Sequence, residues 1–236
     1  MFVFELGLRL GTAGVIRLMN AVRDDSREDV RPLIEDIAGP LEESPDAEQH
    51  DVARPDPSVL AAVRRAFSLG CMDRVADYLR PLSAAAAADP DDEQTVAAYL
   101  MLLLLASSDG DAEAVRNCLN RELDLFVRRH GDTPLGYALS LAREGMAIRC
   151  VSDFLAINRH FGRGRAIEEA ALRRFPNDFD VLVAAAKFEL HTPVEYGGSK
   201  AVAVDLLLRA ATAAPWREVA VELERRARSL GAAQPA

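Results

Sequence analysis

The sequence predicts an all-α protein, and three observations carry that reading. Ala (40) and Leu (30) supply 70 of the 236 residues, and both are strong helix formers. From Pro57 onward, segments with helical apolar spacing alternate with breaks rich in Gly, Pro or Asp. No stretch shows the period-two alternation of a half-buried strand. The chain is 50% hydrophobic and 28% charged, and at this length it suits one or two domains with a real core.

The first segment, 2–22, reads as an amphipathic helix. Val3, Phe4, Leu8, Leu10, Val15, Leu18, Met19 and Val22 gather on one face, and Glu5, Arg9, Thr12, Asn20 and Arg23 lie opposite. Glu5, Arg9 and Arg17 argue against a membrane span. The start Met-Phe-Val-Phe-Glu lacks the basic opening of a secretory signal. Three roles are open to this helix: docking on the body of the protein, which is the simplest, self-association, or lying on a membrane surface.

The formal charge of −9 is concentrated next. Residues 24–56 hold twelve acids and three bases, a net −9, so the rest of the chain is neutral. Pro32, Pro40, Pro45 and Pro55 interrupt this segment. A short helix fits 32–38, and 39–57 reads as a flexible acidic linker with too few apolar residues to offset its ordering entropy. Its simplest role is a solvated tether; the alternative is an arm that recruits a basic partner or covers a site. The acidic balance argues against nucleic-acid binding through bulk electrostatics.

Helices follow at 58–69, ended by Gly70, and at 73–88, ended by Asp89-Pro90. The next are 91–107 and 111–129, the latter ended by His130-Gly131. The apolar run Val96–Leu105 is too short to cross a bilayer and reads as a buried central helix. Thr133, an N-cap with Pro134 at the first helical position, opens a segment to about 161 that either runs unbroken or breaks near Gly145 or Cys150. The remaining helices are 163–175, 178–191, 199–213 and 216–230. The resulting divisions are 1–23 for the N-terminal helix, 24–57 for the acidic linker, 58–231 for the helical domain and 232–236 for a disordered tail.

The helix ends recur in register. Ala85, Ala171 and Ala210 each stand five residues before a proline (Pro90, Pro176, Pro215), and seven residues before those alanines stand Tyr78, Gly164 and Ala203. In the last unit Leu190, Gly198, Ala203, Leu207, Ala210 and Pro215 match the tetratricopeptide-repeat pattern counted from Ala184, with Lys187 where an aromatic is usual. The body from 58 to 230 therefore resembles a tetratricopeptide-repeat (TPR) family, in an irregular form. Its Pro90, Pro134, Pro176 and Pro215 are 44, 42 and 39 residues apart, against about 34 for a regular array. The turn Pro193-Val194-Glu195-Tyr196-Gly197-Gly198-Ser199 is similar to the Pro-x-Trp-Gly-Gly-Ser turn of an uncharacterised bacterial TPR-like family, with Tyr196 for the Trp. The resemblance implies an α-solenoid, a right-handed stack of antiparallel helix pairs with a concave groove for a protein or peptide. It carries no enzymatic activity. The chaperone-tail carboxylate clamp of some TPR domains is not reproduced.

Other chemistry finds little footing. Cys71, Cys118 and Cys150 are widely spaced, which fits reduced, buried thiols in a cytoplasmic protein rather than a zinc or redox pair. His50, His130, His160 and His191 form no metal-binding pair, so no metal or cofactor is expected. No nucleophile motif is present. Gly162-Arg163-Gly164-Arg165 reads as a helix entry, with a faint likeness to a phosphate-cradling turn.

The TPR register would put Met146, Arg149, Asp153 and Ala156, and then Ala185, Phe188 and Glu195, along the groove. Arg149, Arg159, His160, Arg163 and Arg165 make a local basic stretch suited to an acidic peptide. The simpler alternative is a solvated face with pairs such as Arg165–Glu169. The candidate partner-binding residues are thus Arg149, Asp153, Arg159, His160, Arg163, Arg165 and Phe188, in a non-catalytic scaffold. Two alternatives stand beside it: a helical small-molecule-binding or enzyme-associated domain, and a structural homo-oligomer built through the N-terminal helix.

Overall fold

The computed structural model describes residues 55–70, 76–106, 113–150 and 153–232. The predicted helix at 2–22, the short helix at 32–38 and nearly all of the acidic segment lie outside the described residues. Among those that are described, every regular element is helical. They form α1 (Pro57–Leu69), α2 (Leu79–Ala88), α3 (Glu93–Ala106), α4 (Glu113–His130), α5 (Pro134–Cys150), α6 (Phe154–Arg174), α7 (Phe179–His191), α8 (Lys200–Ala213) and α9 (Arg217–Ala232). Short 3-10 turns occupy Ala76–Tyr78 and Val194–Tyr196. No described helix is long and apolar enough to cross a membrane. The chain divides into two compact units between Glu122 and Leu123, inside α4.

Polar caps set most helix starts. Asp56 accepts a hydrogen bond from the Ser58 amide at 2.7 Å, with Pro57 at the first position of α1. Asp92 accepts from the Gln94 amide at 3.2 Å and from the Thr95 hydroxyl at 2.9 Å at the start of α3. Thr133 accepts from the Gly136 amide at 3.1 Å ahead of α5. Asp178 caps α7 by accepting from Asp180 and Val181 amides, and Ser199 caps α8 by accepting from Val202. Each satisfies an amide that the first helical turn leaves without a partner.

Two starts differ from the sequence reading. Of the helix expected over 73–88, the α-helical part begins at Leu79, behind a 3-10 turn. Pro81 explains this. It has no N–H, and its ring would strike the carbonyl of Asp77 in a helix running through. The second correction is α6, expected from 163. It begins at Phe154, after the break at Cys150, and runs 21 residues with Gly162 and Gly164 inside it. Asp153 is its N-cap, accepting from the Leu155 and Ala156 amides at 3.2 Å each. Amides inside a helix are committed to carbonyls four residues back, so the 162–165 stretch is neither a helix entry nor a phosphate cradle.

In the first unit α3 packs against both α1 and α2. Ala97, Ala98, Tyr99, Leu100, Met101 and Leu102 are all buried, so the apolar run is a central helix covered on all sides. In the second unit α5 packs against α6 and α7, α7 against α8, and α8 against α9. Ala203 and Ala210 are fully buried on α8, and such small residues allow a neighbouring helix to approach closely. Edge-on aromatic pairs add to the packing, Tyr137 with Phe175 and Phe179 with Trp216, both with centroids 5.9 Å apart.

Glycine is required at the tightest contacts. A Cβ on Gly164 would lie 2.3 Å from the Phe188 ring, which is itself only 4% exposed. In the turn before α8, Gly197 takes a φ of 84°, and a Cβ on Gly198 would lie 1.8 Å from the Thr192 carbonyl oxygen. The Ser199 cap is as the sequence predicted, while of the paired glycines only Gly197 takes positive φ and Gly198 is needed for close approach instead.

The two mid-helix glycines of α6 should respond oppositely to substitution. Nothing lies within 4 Å of a Cβ at Gly162, so Gly162→Ala should stabilise the fold by about 0.5–1 kcal/mol. Gly164→Ala should destabilise it by about 1–3 kcal/mol despite the better helix propensity, because the Phe188 ring must move. Urea unfolding of the two variants measures both.

Candidate functional site

The charged residues of α6 meet buried carboxylates on two sides. The inward stripe of this helix is Phe161, Gly164, Glu168 and Ala171, all buried, at the three- and four-residue spacing of one helix face. Glu168 thus holds a core position.

On one side, Glu144 of α5 is 3% exposed. His160 Nδ1 lies 2.8 Å from its Oε2, and Arg163 Nε donates to the same oxygen at 3.2 Å. Arg163 Nη2 also lies 2.8 Å from that Nδ1, so His160, Arg163 and Glu144 form one three-membered cluster. Arg143 approaches the other oxygen of Glu144 at 3.6 Å and donates to Asp124.

On the other side, Arg165 is the centre. Its Nη1 donates to Glu168 Oε2 at 2.6 Å and also to Glu189 Oε1 of α7. Its Nη2 donates to Glu189 Oε2 at 3.3 Å and to the Gly197 carbonyl at 2.5 Å. Glu189 Oε2 also accepts from the Ser199 amide at 2.7 Å. The guanidinium lies 5.5 Å from the centre of the Phe188 ring. Tyr196 stacks on Phe161 with centroids 4.4 Å apart. One arginine therefore joins α6, α7 and the turn before α8.

The charges do not balance. Two buried carboxylates, Glu168 and Glu189, share a single guanidinium, and Glu168 Oε1 is buried with no hydrogen-bond partner. Burial first, and then the charge of Glu189, raise the Glu168 carboxyl to about 7, against the opposing pull of Arg165. The bonds to Glu189 hold Arg165 above its ordinary value. The cluster can thus take up and release one proton near neutral pH.

The predicted partner-binding residues separate into distinct roles. Arg165 joins the cluster just described, pairing with Glu168 and Glu189 rather than with Glu169. His160 and Arg163 serve Glu144, and Asp153 is a helix cap. Phe188 is buried against α6, and Met146 and Ala185 are buried too. Of the expected groove residues, Met146 and Arg149 lie on α5 and Ala156 on α6, the chain having broken at Cys150, one of the two places the sequence offered. Arg159 is exposed on α6. Arg149 falls within α5, but its side chain is outside the described residues, as are those of all three cysteines.

Glu144, Glu168 and Glu189 were missed. The signal for Glu189 was a carboxylate between Phe188 and Leu190, beyond the apolar run Val181–Ala186 of α7. Among the described residues no cluster of three or more His, Cys, Asp or Glu side chains is arranged to hold a metal ion. Comparison with family models, curated proteins and solved structures finds no match for this chain.

Arg165→Ala leaves both carboxylates buried without their cation, and should cost about 3–5 kcal/mol in denaturant unfolding. The pH dependence has a definite sign. Between its ordinary value of 4.5 and about 7, Glu168 holds a proton in the folded chain that the unfolded chain has lost. Its contribution makes stability fall as pH rises across that window. Glu168→Gln should remove this slope and melt above the wild type at pH 8, as followed by calorimetry.

Proposed function

We propose that the chain is a non-catalytic, TPR-like helical scaffold, acting in the cytoplasm, that binds an acidic segment of a protein partner. The observation that carries this reading is the packing order of the second unit. Helix α5 meets both its successor α6 and the first helix of the following pair, α7, which in turn meets α8. Neighbour-to-neighbour packing of this kind, with short connections that favour antiparallel pairs, is how helical repeats build an extended binding surface.

The chemistry of the partner follows from the outer face of α6. Arg159, Arg163, Arg173 and Arg174 are all exposed there, on one side of a helix with 3.6 residues per turn; Arg163 also donates to Glu144 and Arg174 to Asp132. Small residues, Ala166 and Ala170, lie between them. These arginines extend the predicted basic stretch beyond Arg163, while His160 and Arg165 are turned to internal carboxylates. Guanidinium groups at intervals above a low floor suit the carboxylates of an acidic helix or extended peptide.

The test is binding of a fluorescein-labelled, Asp/Glu-rich peptide to the full chain, followed by anisotropy. Binding should weaken with added salt, and Arg159→Glu with Arg173→Glu should reduce affinity at least about tenfold while leaving the circular dichroism unchanged. Binding that is indifferent to charge reversal, or absent at low salt, would remove the proposal.

A further inference from the structure

We propose that Glu168 is a proton-operated latch: its protonated form leaves Arg165 to hold the Pro193–Ser199 turn closed, and its ionised form loosens that hold. The proposal stands on the geometry of the cluster and is independent of the binding reading above.

Two polar bonds tie the turn to the helices, Arg165 Nη2 to the Gly197 carbonyl and the Ser199 amide to Glu189. Both run through the Arg165–Glu189 pair. Glu168 competes for the same guanidinium through Nη1, while its other oxygen, Oε1, is buried without a partner. When Glu168 is protonated, one carboxylate faces one guanidinium, the cluster is neutral, and Arg165 grips Glu189 with both nitrogens. Proton loss leaves two negative charges against one positive charge in a buried place, where an unpaired charge is costly. The relief available is water.

Water can enter from the turn. Gly197 and Glu195 are exposed, and the Arg165 side chain is 26% exposed at that edge. The other neighbours of α6 do not compensate the extra charge. The charges that act on Glu168 are Glu189 of α7 and Arg165 of its own helix. Glu144 of α5 is met by His160 and Arg163. The turn carries Glu195, also negative. Opening of the turn toward solvent is then the natural response to ionising Glu168.

The experiment is a pH titration of the full-length chain by NMR from pH 5 to 9. It follows the Glu168 side-chain carboxyl carbon and the Gly197, Gly198 and Ser199 amides. The expected result is one shared midpoint near 7, with faster amide exchange at Ser199 above it than base catalysis alone gives. In Glu168→Gln the turn amides should lose that inflection, while any inflection due to His160 or His191 persists. A Glu168 carboxyl that titrates in the ordinary glutamate range overturns the latch, and this is read on the wild type even if the variant does not fold. So does a Ser199 amide with no inflection near the Glu168 midpoint, or one whose inflection survives in Glu168→Gln.

Discussion

The second unit depends on the guanidinium of Arg165. Helix α7 is apolar along most of its length, with buried Val181, Leu182, Val183, Ala184, Ala185 and Ala186, and apolar burial by itself is non-directional. Glu189 adds direction. A buried carboxylate must find its cation, and the placement of α7 brings Glu189 to Arg165 while Phe188 lies over Gly164. The same pairing fixes where the chain turns, because Glu189 also accepts from Ser199 and Arg165 donates to Gly197. Apolar burial supplies the driving force for packing, and this polar junction selects the arrangement. Buried polar pairs are known to serve specificity in this way in some systems.

Helix ends were the most legible part of the fold. Asp56-Pro57, Thr133-Pro134, Asp178 and Ser199 act within two or three residues of themselves, and local chemistry is what a sequence displays directly. The buried character of α3 was equally plain, since a run of ten apolar residues leaves no polar face. Reading failed where a local preference was overruled from afar. Gly162 and Gly164 look like helix breakers, yet α6 runs through both, and at Gly164 the missing side chain makes room for a ring 24 residues away on the next helix. Pro81 was a local signal passed over.

The candidate site was legible only in half. The sequence drew attention to His160, Arg163 and Arg165 as a basic stretch, because cations close together are visible. Their partners are 16, 19 and 24 residues distant, beyond the reach of helical spacing rules. A cluster read as a positive surface is for that reason mostly an internal neutralising device, and on α6 Arg159 and Arg173 carry positive charge outward beside it. Net charge by segment described the body as neutral; the structure shows that part of this neutrality is buried, in Glu144, Glu168 and Glu189 with their cations.

The contact between Gly164 and Phe188 has a consequence for how this chain can change over generations. Neither position is free to vary alone. A methyl group at 164 demands a smaller or displaced side chain at 188, and a smaller side chain at 188 opens a void that 164 is best placed to fill. The two residues are sterically a single unit, and the salt junction stands one residue beyond each, at 165 and 189.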